Sequence, residues 1–143
     1  MKIKEFLKEN PANSELSFGL FVKQRRKELN ITLKEFAEMS GISIAYLCDV
    51  ENGQRYAPFN HLNAYQNILQ IDKDDSDLFL DLAYCTKHSH PDINEYVLQN
   101  PKLREFLRLA KHNNLSDEEL TNLIYMIKPE LNPENEEDIE FSK

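Results

Sequence analysis

Four histidines and two cysteines are the residues of this 143-residue chain best suited to do chemistry, and their spacing assembles no reactive site. His88-Ser89-His90 sets two imidazoles two residues apart, with no cysteine or acid at ligand spacing beside them. A turn with exposed imidazoles is the expectation there, and no metal. Cys48 and Cys85 stand alone, which predicts two reduced thiols. Cys48 falls in a helical pattern, where a small packed residue is the plain reading and a redox switch the alternative. No Ser/His/Asp or Cys/His set stands out, and no glycine-rich phosphate loop occurs. The carboxylates cluster at helix starts and in the C-terminal tail, where they cap and solubilise. The sequence therefore predicts a protein that is not an enzyme and takes no cofactor.

The stretch that organises the rest is residues 33–53. Thr32 with Glu35 three residues on is a capping box. Phe36, Ala37 and Met39 are read as the inward face of the helix it opens. Gly41 falls where the chain must leave that helix, at positive φ. Ser43 caps a second helix with Leu47 and Val50 inward. Two short helices at a steep angle, the second with an exposed outer side, make a helix-turn-helix, whose second helix suits a major groove.

Residues 18–71 resemble the lambda-repressor-like class of DNA-binding domains, the Xre/Cro/CI type. Ala37 sits where that family needs a small residue between helices. Gly41-Ile42-Ser43 matches its turn, Val50-Glu51-Asn52-Gly53 its glycine-stopped recognition helix, and Pro58 the opening of its next helix. Arg26 matches the family's first-helix arginine, and the resemblance implies an ion pair with Glu51. It also implies an all-α fold: a five-helix DNA-binding domain, here followed by a short helical extension and an acidic tail. Two positions depart from the family pattern. Leu33 stands where a phosphate-donating glutamine is common, and Ile44-Ala45 where a polar reader is common. Ile44 and Ala45 suit thymine methyl groups better than bidentate hydrogen bonds to base edges.

On this reading Ser43, Ile44, Ala45, Tyr46 and Asp49 face base edges. Arg55 is the leading phosphate contact, with a solvated loop charge as the alternative. Asn52 and Gln54 are neutral phosphate donors, and Lys34 joins the DNA-binding set. Asp49 is unfavourable near phosphates unless it accepts from a cytosine amine or a neighbouring base holds it.

Composition agrees with helices: three glycines, no alternating β-branched run and no apolar stretch near the ~20 residues of a membrane span. The charged N-terminus lacks the apolar core of a signal peptide, so a cytoplasmic protein without a membrane partner is expected. Net charge is −8, unevenly spread. Residues 1–71 carry nine lysines and arginines against eight acids, and residues 72–143 carry eight against seventeen. An almost neutral binding domain with an acidic appendage predicts few phosphate contacts and a shallow salt dependence.

Along the chain, residues 1–13 form an N-terminal segment. Ile3, Phe6 and Leu7 share a face there that covers the domain, with a DNA-tracking arm as the alternative, and Asn10-Pro11-Ala12-Asn13 ends the pattern. Residues 14–88 form the DNA-binding domain. Its first helix spans about residues 17–29, with Phe18, Phe21 and Val22 inward and Lys23 and Arg25 outward towards phosphates. A fourth helix is predicted over residues 59–71. Asp74-Asp75-Ser76-Asp77 caps a fifth, whose Leu78, Phe79, Leu82, Ala83 and Tyr84 form a wide apolar face. The resemblance assigns that face to a dimer contact. Residues 89–128 form an extension of three helical patterns, with Ser116 opening a capping box. Its apolar faces must pack on each other, on the fifth helix or on a partner chain. Residues 129–143 carry six acids and two prolines and read as a disordered tail ending near Phe141.

The leading expectation is a sequence-specific transcriptional regulator, a repressor of a bacterial, phage or mobile-element operon. It would bind a double-stranded, pseudo-palindromic DNA operator as a homodimer. The alternative is an antitoxin-type or adaptor protein whose extension binds a protein partner, with DNA binding autoregulatory.

Overall fold

The computed structural model describes residues 2–10 and 17–135, and the regular elements among them are all helical. The helices are α1 (Ile3–Glu9), α2 (Ser17–Glu28), α3 (Leu33–Ser40), α4 (Ile44–Glu51), α5 (Leu62–Ile68), α6 (Ser76–Cys85), α7 (Pro91–Gln99), α8 (Pro101–His112) and α9 (Asp117–Ile127). Short 3-10 turns occupy Phe59–His61, Lys73–Asp75 and Pro129–Leu131. Among the described residues the fold is all-α. The breaker at residues 11–13 and the tail from residue 136, Phe141 included, lie outside the described residues.

Side-chain oxygens set the helix starts where the sequence places them. Thr32 Oγ1 accepts from the Glu35 N–H (3.2 Å) and Glu35 Oε2 accepts from the Thr32 N–H (2.7 Å). The Thr32 amide first, and then its hydroxyl, hold the Glu35 carboxyl below the usual carboxylate range. This contribution is complete above the ordinary carboxylate pKa and fades as pH falls through the lowered one. Ser43 caps α4 through the Tyr46 N–H, and Ser116 caps α9 through the Glu119 N–H. Such caps are each worth about 1 kcal/mol.

The helix ends were harder to read. Gly41 ends α3 at φ 72°, as expected. But α2, α5, α6 and α8 end on left-handed Asn30, Gln70, His88 and Asn114. In α2 the Asn30 and Ile31 N–H groups bond back to Lys27 and Arg26 carbonyls, and the same pair of bonds recurs at the other three ends. These are Schellman endings built without glycine.

The chain divides into two compact units, residues 1–94 and 95–143. In the first, Phe18, Phe21, Phe36, Tyr65 and Phe79 are fully buried and meet ring to ring. Phe36 lies edge-on to Tyr65 at 4.8 Å, and Phe18 lies 5.5 Å from Phe79. α1 belongs to this core. Ile3 and Phe6 are buried, Phe6 sits edge-on to Phe21 at 5.2 Å, and Lys4 reaches Asp75 at 3.6 Å.

Several readings change. Met39 points out of α3, 54% exposed, and Ser40 takes the inward place because Phe36, Ala37 and Ser40 share the helical stripe. Arg25 is not a phosphate arm: its Nε donates to the Leu69 carbonyl at the end of α5 (3.0 Å) and its Nη1 pairs with Glu28 (3.2 Å). Residues 59–61 form a 3-10 turn, and the fourth helix of the domain is only Leu62–Ile68. Asp75 makes no side-chain cap on α6; it is buried and faces Lys4 instead. The apolar face of α6 turns into its own unit, where Phe79, Leu82 and Ala83 are fully buried and α6 packs on α1, α2 and α5. Most of the face assigned to a dimer contact is thus used internally.

One core group is left unmatched. The Tyr65 hydroxyl is buried and finds no hydrogen-bond partner among the described residues. Burial is also the main cause of its strongly raised pKa. A buried unpaired hydroxyl costs about 1–3 kcal/mol. Tyr65→Phe removes that cost and keeps the ring contacts, so it is expected to leave stability unchanged or raise it by about 1 kcal/mol. Urea unfolding of the two proteins would show this, and a clear loss would mean the hydroxyl is satisfied in solution.

In the second unit no residue of α8 or α9 is buried. Arg104 caps the end of α7 by donating to the Val97 (3.0 Å) and Leu98 carbonyls. Leu107, Leu109, Ile124, Met126 and Ile127 stay exposed. Among the described residues no helix is long and apolar enough to cross a membrane.

Candidate nucleic-acid interface

The second helix of the helix-turn-helix is held from three sides. α4 packs on α2 and α3 through Leu47 and Val50, both buried. Its last residue, Glu51, accepts a bidentate pair from Arg26 of α2, with Nε–Oε1 at 2.6 Å and Nη2–Oε2 at 2.9 Å. Arg26 Nη1 also donates to the Ile31 carbonyl (2.8 Å) in the turn before α3. One guanidinium therefore joins α2, the α2–α3 turn and the end of α4. Both partners are buried, so Arg26 and Glu51 fix the helix and are not offered to a ligand.

Gly19 is the positioning residue that the sequence reading passed over. A Cβ built on it would stand 2.1 Å from the Val50 carbonyl oxygen and 3.0 Å from that of Glu51. α2 thus meets the C-terminal end of α4 backbone to backbone. The available signal was a glycine inside a strong helical pattern in a chain with only three.

The outer side of α4 opens with Ser43, Ile44 and Ala45, all exposed, Ile44 at 47%. Ser43 spends its hydroxyl on the cap, which leaves a mainly apolar start to this face. Tyr46 and Asp49 follow, half-buried; Asn52 is exposed at the end of α4, and Gln54 and Arg55 are exposed in the loop after Gly53. Asn52 leans back, its Nδ2 3.5 Å from Cys48 Sγ. Lys34 is exposed in the first turn of α3.

Three of these residues form one cluster. Arg55 Nε donates to Asp49 Oδ2 (2.9 Å), its guanidinium carbon lies 5.0 Å from the centre of the Tyr46 ring, and the Tyr46 hydroxyl donates to the Tyr56 carbonyl (3.4 Å). Asp49 is held by a neighbouring base, Arg55, one of the two conditions under which it tolerates nearby phosphates. The same pair restrains Arg55. Asp49→Asn removes the repelling charge and releases Arg55. Exposed pairs of this kind are worth about 0.2–1 kcal/mol, so affinity for any duplex is expected to rise roughly twofold to fivefold. Fluorescence anisotropy at fixed salt would measure it; unchanged affinity would place Asp49 away from the phosphates.

Residues 22–75 match a protein-family model described as helix-turn-helix. No curated protein and no solved structure matches the chain. The matched segment takes in α3, the turn at Gly41 and all of α4, so the chain carries a lambda-repressor-like, Xre-type helix-turn-helix domain, the domain of DNA-binding regulators. α1 and α6 complete its core from outside the match.

Proposed function

We propose that this protein is a sequence-specific transcriptional repressor that binds a pseudo-palindromic operator as a homodimer and occludes a promoter. The observation that carries the reading is the two-sidedness of α4. Leu47, Val50 and Glu51 lock it from within, while Ser43, Ile44 and Ala45 stand exposed at its leading end. Two such helices in successive major grooves ~34 Å apart would read the two halves of the site. Ile44 and Ala45 would favour thymine methyl groups, and Arg55, Lys34, Gln54 and Asn52 would set the register on the phosphates.

Selection of bound duplexes from a random library tests this. The full chain is expected to enrich a symmetric site. Ile44→Ala is expected to change the enriched sequence at one position of each half-site, within the about 1–3 kcal/mol that a single mismatched base pair costs. Arg55→Ala is expected to weaken all duplexes alike. Enrichment of no site, or variants that alter neither property, would overturn the reading.

The second unit favours a second role. α8 and α9 leave Leu107, Leu109, Ile124, Met126 and Ile127 exposed, more apolar surface than a solitary extension needs. Dimerisation through these helices, or an antitoxin-type partner on them, would cover it. The solution mass of the full chain, alone and with the product of a neighbouring reading frame, separates the two.

A further inference from the structure

We propose that Lys87, at the end of α6 and outside the helix-turn-helix match, is a DNA-backbone contact, and that the groove beside it seats a phosphodiester of the duplex entered by α4. The proposal rests on the reading of α4 as the helix that enters DNA.

A groove of about 600 Å³ runs along the leading end of α4. Ser43, Tyr46, Tyr56, Phe59, His61 and Lys87 are among the residues that line it. A strand of DNA flanking a helix in the major groove must pass over this side, because that groove is only ~12 Å wide and its two backbones bound the helix. The groove therefore continues the outward face of α4.

Lys87 is exposed, and it makes no ion pair among the described residues. Arg55, Arg26 and Arg25 are each paired with an acid. The Lys87 Nζ instead stands 5.4 Å from the ring centres of both Tyr56 and Phe59. Two rings hold the ammonium without neutralising it, which restricts its rotamers before any anion arrives.

Thr86 fixes this geometry. Its buried hydroxyl accepts from the Ala57 N–H (3.0 Å) and donates to the Ala83 carbonyl (2.6 Å). The loop that follows α4 is thereby fastened, across 29 positions of chain, to the end of α6, which brings Lys87 beside α4. With Arg55 over Tyr46 at one end and Lys87 over Tyr56 and Phe59 at the other, two cations flank one aromatic strip.

The test is the salt dependence of DNA binding by the full-length protein. Lys87→Gln is expected to weaken the selected duplex and a random-sequence duplex in equal proportion. It should also lower the slope of log affinity against log salt by about 0.9. Between 50 and 200 mM salt the wild type should then lose roughly 3.5-fold more affinity than the variant. Lys87→Arg should keep the slope. Lys73→Gln, the same charge change beside Asp72 and Lys4 at another surface, should leave the slope as it is. An unchanged slope in Lys87→Gln, or an equal change in Lys73→Gln, overturns the proposal while leaving α4 as the DNA-entering helix. If the wild type binds neither duplex, that underlying reading fails and this proposal with it.

Discussion

Arg26→Ala is expected to remove about 3–5 kcal/mol of unfolding free energy, because it leaves the Glu51 carboxylate buried with its charge uncompensated. Domains of this size are stable by only about 5–15 kcal/mol, so a loss of this size should lower the melting temperature by roughly 12–40 °C. The geometry accounts for the size of the effect. The pair is bidentate, at 2.6 and 2.9 Å, and Arg26 also satisfies the Ile31 carbonyl, so three elements lose their common tie. Glu51→Ala should cost a similar amount by stranding the guanidinium. Changing both at once, Arg26→Met with Glu51→Leu, should recover most of the stability, since a hydrophobic pair of similar volume has no charge to desolvate. Thermal and urea unfolding of the three variants would measure this. Independent, additive losses in the double variant would show that the two side chains do not act as a pair.

Gly19→Ala is the second large effect, and its sign is opposite to the usual rule. In an exposed helix interior that change stabilises by roughly 0.5–1 kcal/mol. Here the new methyl would meet the Val50 carbonyl at 2.1 Å, and the obstacle is backbone, which cannot swing aside. α2 and α4 would have to separate, and overpacking of this kind costs about 1–3 kcal/mol. Because α4 is the helix displaced, DNA affinity should fall further than the stability loss alone explains. Gly41→Ala is the useful comparison. Its φ of 72° makes alanine strained, yet nothing stands within 4 Å, so about 1–2 kcal/mol of backbone cost is expected with α4 left in place. Unfolding curves and anisotropy at a temperature where both variants are folded would separate them. Equal affinity losses in the two would deny Gly19 its role in placing α4.

Local chemistry decided what the sequence could tell. Thr32, Ser43 and Ser116 announce helix starts because a cap is a contact within three residues, and the inward places of Leu47 and Val50 on α4 follow from helical period alone. The Arg26–Glu51 pair spans 25 positions and could be named only through the family resemblance. Helix ends on Asn30, Gln70, His88 and Asn114 carry no glycine to mark them, so the fourth helix stops before the expected Ile71, and its expected start is taken by the 3-10 turn Phe59–His61. Met39 was placed inward on hydrophobicity, although the stripe through Phe36 and Ala37 continues to Ser40. The Asp49–Arg55–Tyr46 cluster and the fastening of Ala57 to Thr86 depend on loop conformation, which spacing does not encode. The same is true of Lys87, 32 residues beyond Arg55 in the chain yet on the same aromatic strip.

Entry of α4 into the duplex is tested by amide chemical-shift changes on titration with a selected operator. The largest shifts are expected at residues 43–49 and in the loop 53–57, with only small changes in the α8 and α9 amides. Shifts concentrated in α8 and α9, with the amides of Ser43, Ile44 and Ala45 unmoved at saturation, would contradict it.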